Sequence, residues 1–206
     1  MPGEYTITLR AAGKQLSKTV RVGLDPRVKI SDADLATQLD AALKLRDLTS
    51  TLNKLVAGVD DLTKQLTTLG ETMRKAPEPA ATAAVRAGDG DGAGPAAATA
   101  GQPDNAMADI NAALDELKKL RATLVREAPF GYRYPPKLRE EVQSLMGSIT
   151  SPIAPPTEPQ MLRLREVTDE TQKAVADLNS IISGSIRRVN EKLSSQPHIV
   201  AGPAVK

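Results

Sequence analysis

The chain has 206 residues, with 27 basic and 25 acidic side chains and a formal net charge of +2, a length that fits one or two domains. Its aromatic residues are Tyr5, Phe130, Tyr132 and Tyr134, so a core must be drawn from Leu, Val, Ile and Ala, and the composition favours helices. There is no Cys and a single His, His198, which excludes disulfides, thiolate nucleophiles, His-rich metal centres and any Ser-His or Cys-His arrangement not built on that residue.

The first residues, Met-Pro-Gly-Glu-Tyr-Thr, show no basic start, apolar run or small-residue cleavage site, so no secretory signal is expected. Tyr5, Ile7 and Leu9 alternate with Thr6, Thr8 and Arg10, the period of a half-buried strand. Ala11-Ala12-Gly13-Lys14 supplies a turn, and Leu16, Val20 and Val22 continue the alternation on its far side. Residues 1–24 therefore form a β-hairpin. A lone hairpin is marginal in water, so either the helices cover its apolar face or the rest of its sheet lies outside this chain.

Residues 25–75 hold a long helix. Asp25-Pro26 ends the hairpin, and Ser31, three residues before Asp34, offers a helix N-cap in an acidic variant of the capping box. Leu45, Leu48, Leu52, Leu55, Val59, Leu62, Leu66, Leu69 and Met73 then recur at alternating steps of three and four, a heptad seam. A helix of roughly 42 residues would be about 63 Å long. Gly58 and Gly70 weaken it by about 1 kcal/mol each relative to Ala, which the seam outweighs.

Residues 76–104 are almost entirely Ala, Gly, Pro, Thr and Asp and read as a flexible linker, because they carry too little apolar surface to offset ordering entropy. Within it Asp89-Gly90-Asp91-Gly92 resembles the opening of a calcium loop, but the fifth and twelfth positions are Ala93 and Ala100 where oxygen ligands are required. Residues 105–195 supply the remaining helices of the bundle. The first carries Ile110, Leu114, Leu117, Leu120 or Arg121, and Leu124 on one face and stops before Pro129. Phe130-Gly131-Tyr132-Arg133-Tyr134-Pro135-Pro136 breaks the helix. Phe130, Tyr132 and Tyr134 form the contact or packing cluster: a stacking platform, or more simply a plug at the end of the bundle. A short helix follows with Leu138, Val142, Leu145 and Ile149, then a Pro-rich break at 151–159. The last helix, residues 160–195, bears Leu164, Val167, Thr171, Ala174 or Val175, Leu178, Ile182, Ile186, Val189 and Leu193, and residues 196–206 read as a disordered tail. The fold class is thus mainly α, an N-terminal hairpin followed by an antiparallel three- to four-helix bundle with long heptad helices.

Catalytic chemistry finds little to work with. Asp60-Asp61, Glu140-Glu141 and Asp169-Glu170 are adjacent on helices and point about 100° apart, whereas glycoside hydrolysis needs carboxyls facing across a cleft. His198 has no sequence neighbour to orient it, and Arg187-Arg188 and Lys118-Lys119 stand beside acids such as Glu191 and Glu116, which favours local ion pairing. No catalytic, cofactor-binding or metal-binding residue is assigned and no cofactor is expected. Near-neutral charge gives no reason to bind nucleic acid, and no stretch approaches the roughly 20 apolar residues of a membrane span.

Pro2-Gly3-Glu4-Tyr5-Thr6-Ile7-Thr8-Leu9, Gly13-Lys14, Val20-Arg21-Val22 and Asp25-Pro26-Arg27-Val28 resemble the end of the Ig-like module in bacterial sortilin/VPS10-like, BNR-repeat, glycosyl hydrolase-like proteins. Ser31-Asp32-Ala33-Asp34-Leu35, Gln38-Leu39-Asp40, Tyr134-Pro135-Pro136-Lys137-Leu138 and Ala154-Pro155-Pro156-Thr157 continue that resemblance through most of the chain outside the linker. It departs at Arg139-Glu140-Glu141, where the family pattern tends to have Asn, and the β-propeller with its Asp-box repeats is not in this sequence. The resemblance implies a C-terminal region following a propeller, in a parent that is periplasmic or secreted, with the hairpin a remnant of an Ig-like sheet. The expected function is a non-catalytic C-terminal scaffolding or interaction module whose partners are the upstream Ig-like and β-propeller domains or another protein. The alternatives are a fragment of a propeller glycoside hydrolase with its catalytic domain upstream, or a free-standing coiled-coil adaptor.

Overall fold

The computed structural model describes residues 2–75, 103–126, 134–193 and 199–200. These form strands β1 (Gly3–Ala11) and β2 (Lys14–Val22), then helices α1 (Asp32–Lys75), α2 (Pro103–Leu124), α3 (Leu138–Thr150) and α4 (Glu158–Ile181). A single π-helical turn, Ile182–Ile186, joins α4 to α5 (Arg187–Lys192). The protein is mainly α with an N-terminal antiparallel hairpin, the class its sequence leads one to expect. The chain divides into two compact units, Met1–Ser50 with Leu138–Thr171, and Thr51–Lys137 with Gln172–Lys206.

In the first unit the hairpin is followed by the start of α1, with α3 and the first half of α4. The N-cap read from the sequence is present: the Ser31 hydroxyl accepts the Asp34 N–H at 3.1 Å and donates to the Asp34 carboxylate at 2.7 Å. Leu35, Ala41 and Leu45 of α1 are buried with Leu138, Val142, Leu145 and Ile149 of α3 and with Leu164, Val167 and Thr171 of α4. A second capping box opens α4, where the Thr157 N–H donates to the Gln160 side chain at 2.8 Å. Gln160 also reaches Ser148 at the end of α3, while Glu141 near the start of α3 pairs with Arg163, so α3 and α4 run antiparallel. Gln38 of α1 donates to the Ile149 and Pro152 carbonyls at 2.7 and 2.6 Å, supplying partners that the end of α3 cannot find within its own helix.

In the second unit Leu52, Leu55, Val59, Leu62, Leu66 and Leu69 of α1 are buried, with Ala106, Ile110, Ala113, Leu117, Leu120 and Leu124 on α2. Asp60 pairs with Arg121 at 2.7 Å, and Gly70 lies against Ile110, so α1 and α2 run antiparallel. Glu116 meets Ser185, and Asp109 pairs with Lys192, which sets α2 antiparallel to the α4–α5 stretch as well.

The π turn corrects the expectation of one regular helix over residues 160–195. Along this stretch the buried apolar residues are Leu164, Val167, Ala174, Leu178, Ile181, Ile186, Val189 and Leu193, with Thr171 also buried. Ile181, not Ile182, carries the seam, and the step to Ile186 is five residues, which only an i→i+5 turn keeps on one face. Regular helix begins at Glu158 and ends at Lys192. Of the tail expected over residues 196–206, residues 199–200 are described, with Ile199 buried and Val200 hydrogen-bonded to Gln65, and the others lie outside the described residues. Most of the expected linker, residues 76–102, lies outside the described residues.

Leu55 is fully buried and Lys54 exposed. Leu55→Ala should cost about 2–5 kcal/mol, against less than about 0.5 kcal/mol for Lys54→Ala; urea midpoints of the two variants check the seam. A Cβ at Gly58 would meet Leu178 at 3.6 Å, ordinary van der Waals contact, so Gly58→Ala should stabilise the protein by roughly 1 kcal/mol through helix propensity. A lower melting temperature for Gly58→Ala would show that the α1–α4 approach is tighter than that distance implies.

Candidate functional site

The hairpin has two faces of different character. On one, Thr8 and Ser17 share a hydrogen bond of 3.1 Å, Arg10 donates to Gln15 at 2.9 Å, and Glu4 stands opposite Arg21. On the other, Tyr5 opposes Val20, Ile7 opposes Lys18 and Leu9 opposes Leu16, with Val22 at the end of the row. All of β1 is exposed, and in β2 only Val20 is half-buried. Ile7 and Leu16 expose 59% and 69% of their surface, so the apolar stripe anticipated from the alternation has no helix over it.

The hairpin closes tightly. Ala12 and Gly13 take φ values of 47° and 73°, a two-residue turn with both central residues left-handed, which matches the twist of the flanking strands. Ala12 adopts this conformation at a cost of about 1 kcal/mol. Nine paired residues per strand span about 30 Å. Both outer edges lack a neighbouring strand among the described residues. Arg10, Lys14, Lys18 and Arg21 against Glu4 alone make the hairpin basic, a pattern that discourages pairing between two copies.

At the base of the hairpin lies an apolar groove of about 420 Å³, lined by Val22 and Leu24 together with Leu35, Leu39, Ala42 and Ile153. Val22 belongs both to this groove and to the apolar hairpin face, so the two form one continuous surface. The turn that leads out of β2 is fixed by Asp25, which accepts the Arg27 N–H at 2.9 Å and its guanidinium at 2.6 Å. The guanidinium holds the Asp25 carboxyl below its usual range, so this bracing of the turn is present above the ordinary carboxylate pKa and is lost as pH falls through the lowered one.

Phe130 and Tyr132 of the expected aromatic cluster lie outside the described residues, as do His198 and the Asp89-Gly90-Asp91-Gly92 segment; Tyr134 is exposed. Of the six adjacent carboxylates, Asp60 meets Arg121, Asp61 meets Gln65, and Glu141 and Glu170 meet Arg163. Arg163 also binds Glu166, which contributes most to keeping its guanidinium charged. Arg187 pairs with Glu191 at 2.7 Å, the local pairing anticipated from sequence. Among the described residues no group of three or more metal-ligating side chains converges, and no helix is long and apolar enough to cross a membrane.

The second unit has a groove of about 490 Å³ beside the π turn, where Glu116, Lys119, Asp177, Ser185 and Arg188 stand beside apolar Leu120 and Ile181. Buried Ser185 donates to Glu116 at 2.6 Å and accepts from Arg188 at 2.9 Å, so its hydroxyl is committed to the groove wall. Sequence reading missed this relay. Ile182 hid it, because Leu178, Ile182 and Ile186 read as regular helical steps of four.

No family model, curated protein or solved structure matches this chain.

Because Ile7 and Leu16 bury little, Ile7→Thr and Leu16→Thr should each shift stability by less than about 0.5 kcal/mol, with Thr keeping the strand preference. Urea unfolding measures this, and a loss typical of a core position would mean that the stripe is covered in solution.

Proposed function

We propose that this chain is a non-catalytic scaffolding and interaction module in which β1–β2 completes a sheet supplied by a β-domain of the same gene product, an Ig-like or propeller domain of the sortilin-like, BNR-repeat kind that the sequence resembles. The observation that carries this reading is the uncovered hairpin. A β-sheet needs three or more strands, or a packed apolar face, to be stable alone, and this pair has two free edges and an exposed apolar row. Edge addition satisfies the ladder groups through main-chain hydrogen bonds, and burial of alternate side chains sets the register. Excess basic charge selects an acidic edge strand over a second copy of the hairpin. Helices α1 to α5 act as the spacer and platform.

Amide hydrogen exchange on residues 4–22 tests the proposal. Exchange should be fast in the 206-residue chain and slow in a protein extended by the segment encoded immediately upstream. Strong protection in the chain alone, or no gain in the extended protein, overturns the pairing; an upstream reading frame without Asp-box repeats removes the BNR-repeat part. The chain alone should also leave aryl-glycosides and polysaccharides unchanged. Turnover lost on Glu141→Gln or Asp60→Asn would assign it a catalytic role instead.

A further inference from the structure

Ile199 and Val200 are held in the second unit by an arrangement unlike ordinary side-chain packing. Asn190 on α5 donates to the Ile199 carbonyl at 3.0 Å and accepts the Ile199 N–H at 2.7 Å. Gln65 on α1 treats the next residue in the same way, donating to the Val200 carbonyl at 3.0 Å and accepting its N–H at 2.9 Å. In an extended chain the N–H and C=O of one residue point to one side and those of the next to the other. The two amides therefore bracket an extended dipeptide from opposite sides, each replacing one rung of a β-ladder. Asp61 accepts from Gln65 at 2.8 Å and fixes the orientation of that amide.

Recognition through the main chain is indifferent to sequence, and the side chains add selectivity. Ile199 is 6% exposed and Val200 is 70% exposed, so the clamp takes one aliphatic anchor and leaves its neighbour in water. Beside Ile199 an open groove of about 360 Å³ is lined by Lys64, Thr68, Leu69 and Thr72 on α1. Thr68 and Thr72 donate their hydroxyls to carbonyls one turn back in the same helix, so the wall offers no unpaired hydroxyl donor to a ligand. The groove has room for more chain than Ile199 and Val200 fill.

We propose that the Gln65–Asn190 clamp, with the α1 groove beside it, is a recognition site for an extended peptide with a β-branched aliphatic anchor, and that Ile199 and Val200 are its ligand in cis. A tethered ligand acts at an effective concentration of about millimolar order, so the chain masks its own site against weaker peptides. A partner segment of the same chemistry gains access only when the tail is displaced.

The test uses the full chain and a fluorescein-labelled peptide with the sequence of residues 198–206. Ile199→Asp places a carboxylate in the anchor site, and Val200→Pro removes the N–H that Gln65 accepts. Either variant should release the tail and bind the peptide at least about tenfold more tightly than the unmodified chain, because the tethered competitor is gone. Adding Gln65→Ala to either variant should abolish the gain, and a peptide with Asp at the Ile199 position should not bind. Helix content by circular dichroism reports whether each variant is folded, and the two variants disturb the tail by different means. Peptide binding that is no tighter after release, or that survives Gln65→Ala, overturns the proposal. A dimer in the unmodified chain that disappears in Val200→Pro overturns the cis assignment by giving the site to the tail of a second copy.

Discussion

Burial of one stripe of α1 is the constraint from which the helical structure follows. A helix of 44 residues with two internal glycines owes its stability to tertiary packing more than to propensity, and its leucines supply that packing. Leu35, Ala41 and Leu45 enter the core of one unit, and Leu52 through Leu69 enter that of the other. Every other helical segment presents an apolar row of matching step. Because the chain is poor in aromatic residues, these rows interlock through many small aliphatic contacts, and helix spacing is set by Leu against Leu, Ala and Val. Gly58 and Gly70 fit the same logic, since each sits where a side chain of a neighbouring helix comes close.

What the sequence made legible was local. The alternation of Tyr5, Ile7 and Leu9 gives the strand, Ser31 with Asp34 gives the helix start, and Leu138, Val142, Leu145 and Ile149 give the buried face of α3 without error. The features that escaped join residues far apart in sequence. Gln38 and the α3 carbonyls are more than 110 positions apart, and Gln65 and Val200 are 135 apart. A glutamine on a half-exposed helical position reads as solvent-facing until the chain it will grip is placed beside it. The Thr157–Gln160 cap was readable by the same rule as Ser31, and the preceding Pro-rich stretch obscured it.

The hairpin obeys opposite rules from the helices. Each helix buries its apolar row inside the described structure, and the hairpin leaves most of its own exposed. Its polar face is finished, with cross-strand bonds between Thr8 and Ser17 and between Arg10 and Gln15. That asymmetry is what a surface kept ready for another sheet would show, and it is the physical basis for reading the chain as a module. The groove at its base extends the same apolar row past Val22, so a docked partner would meet strand and helix together.

The π turn also sets angular phase. At about 100° per residue, an unbroken α-helix would swing Ile186 some 140° away from Ile181 and bring Ser185 nearly into line with it. The face continued inward would then be Ser185, Arg188 and Lys192, which is polar. The extra residue rotates Ile186, Val189 and Leu193 onto the core side and carries Asn190 to the position from which it holds Ile199. A one-residue insertion between Ile181 and Ile186 would therefore act at a distance, whereas deletion of one residue there would close the π turn into an ordinary helical step of four and keep the phase. The insertion would leave the local helix intact and turn everything beyond it, the clamp included, to the wrong azimuth.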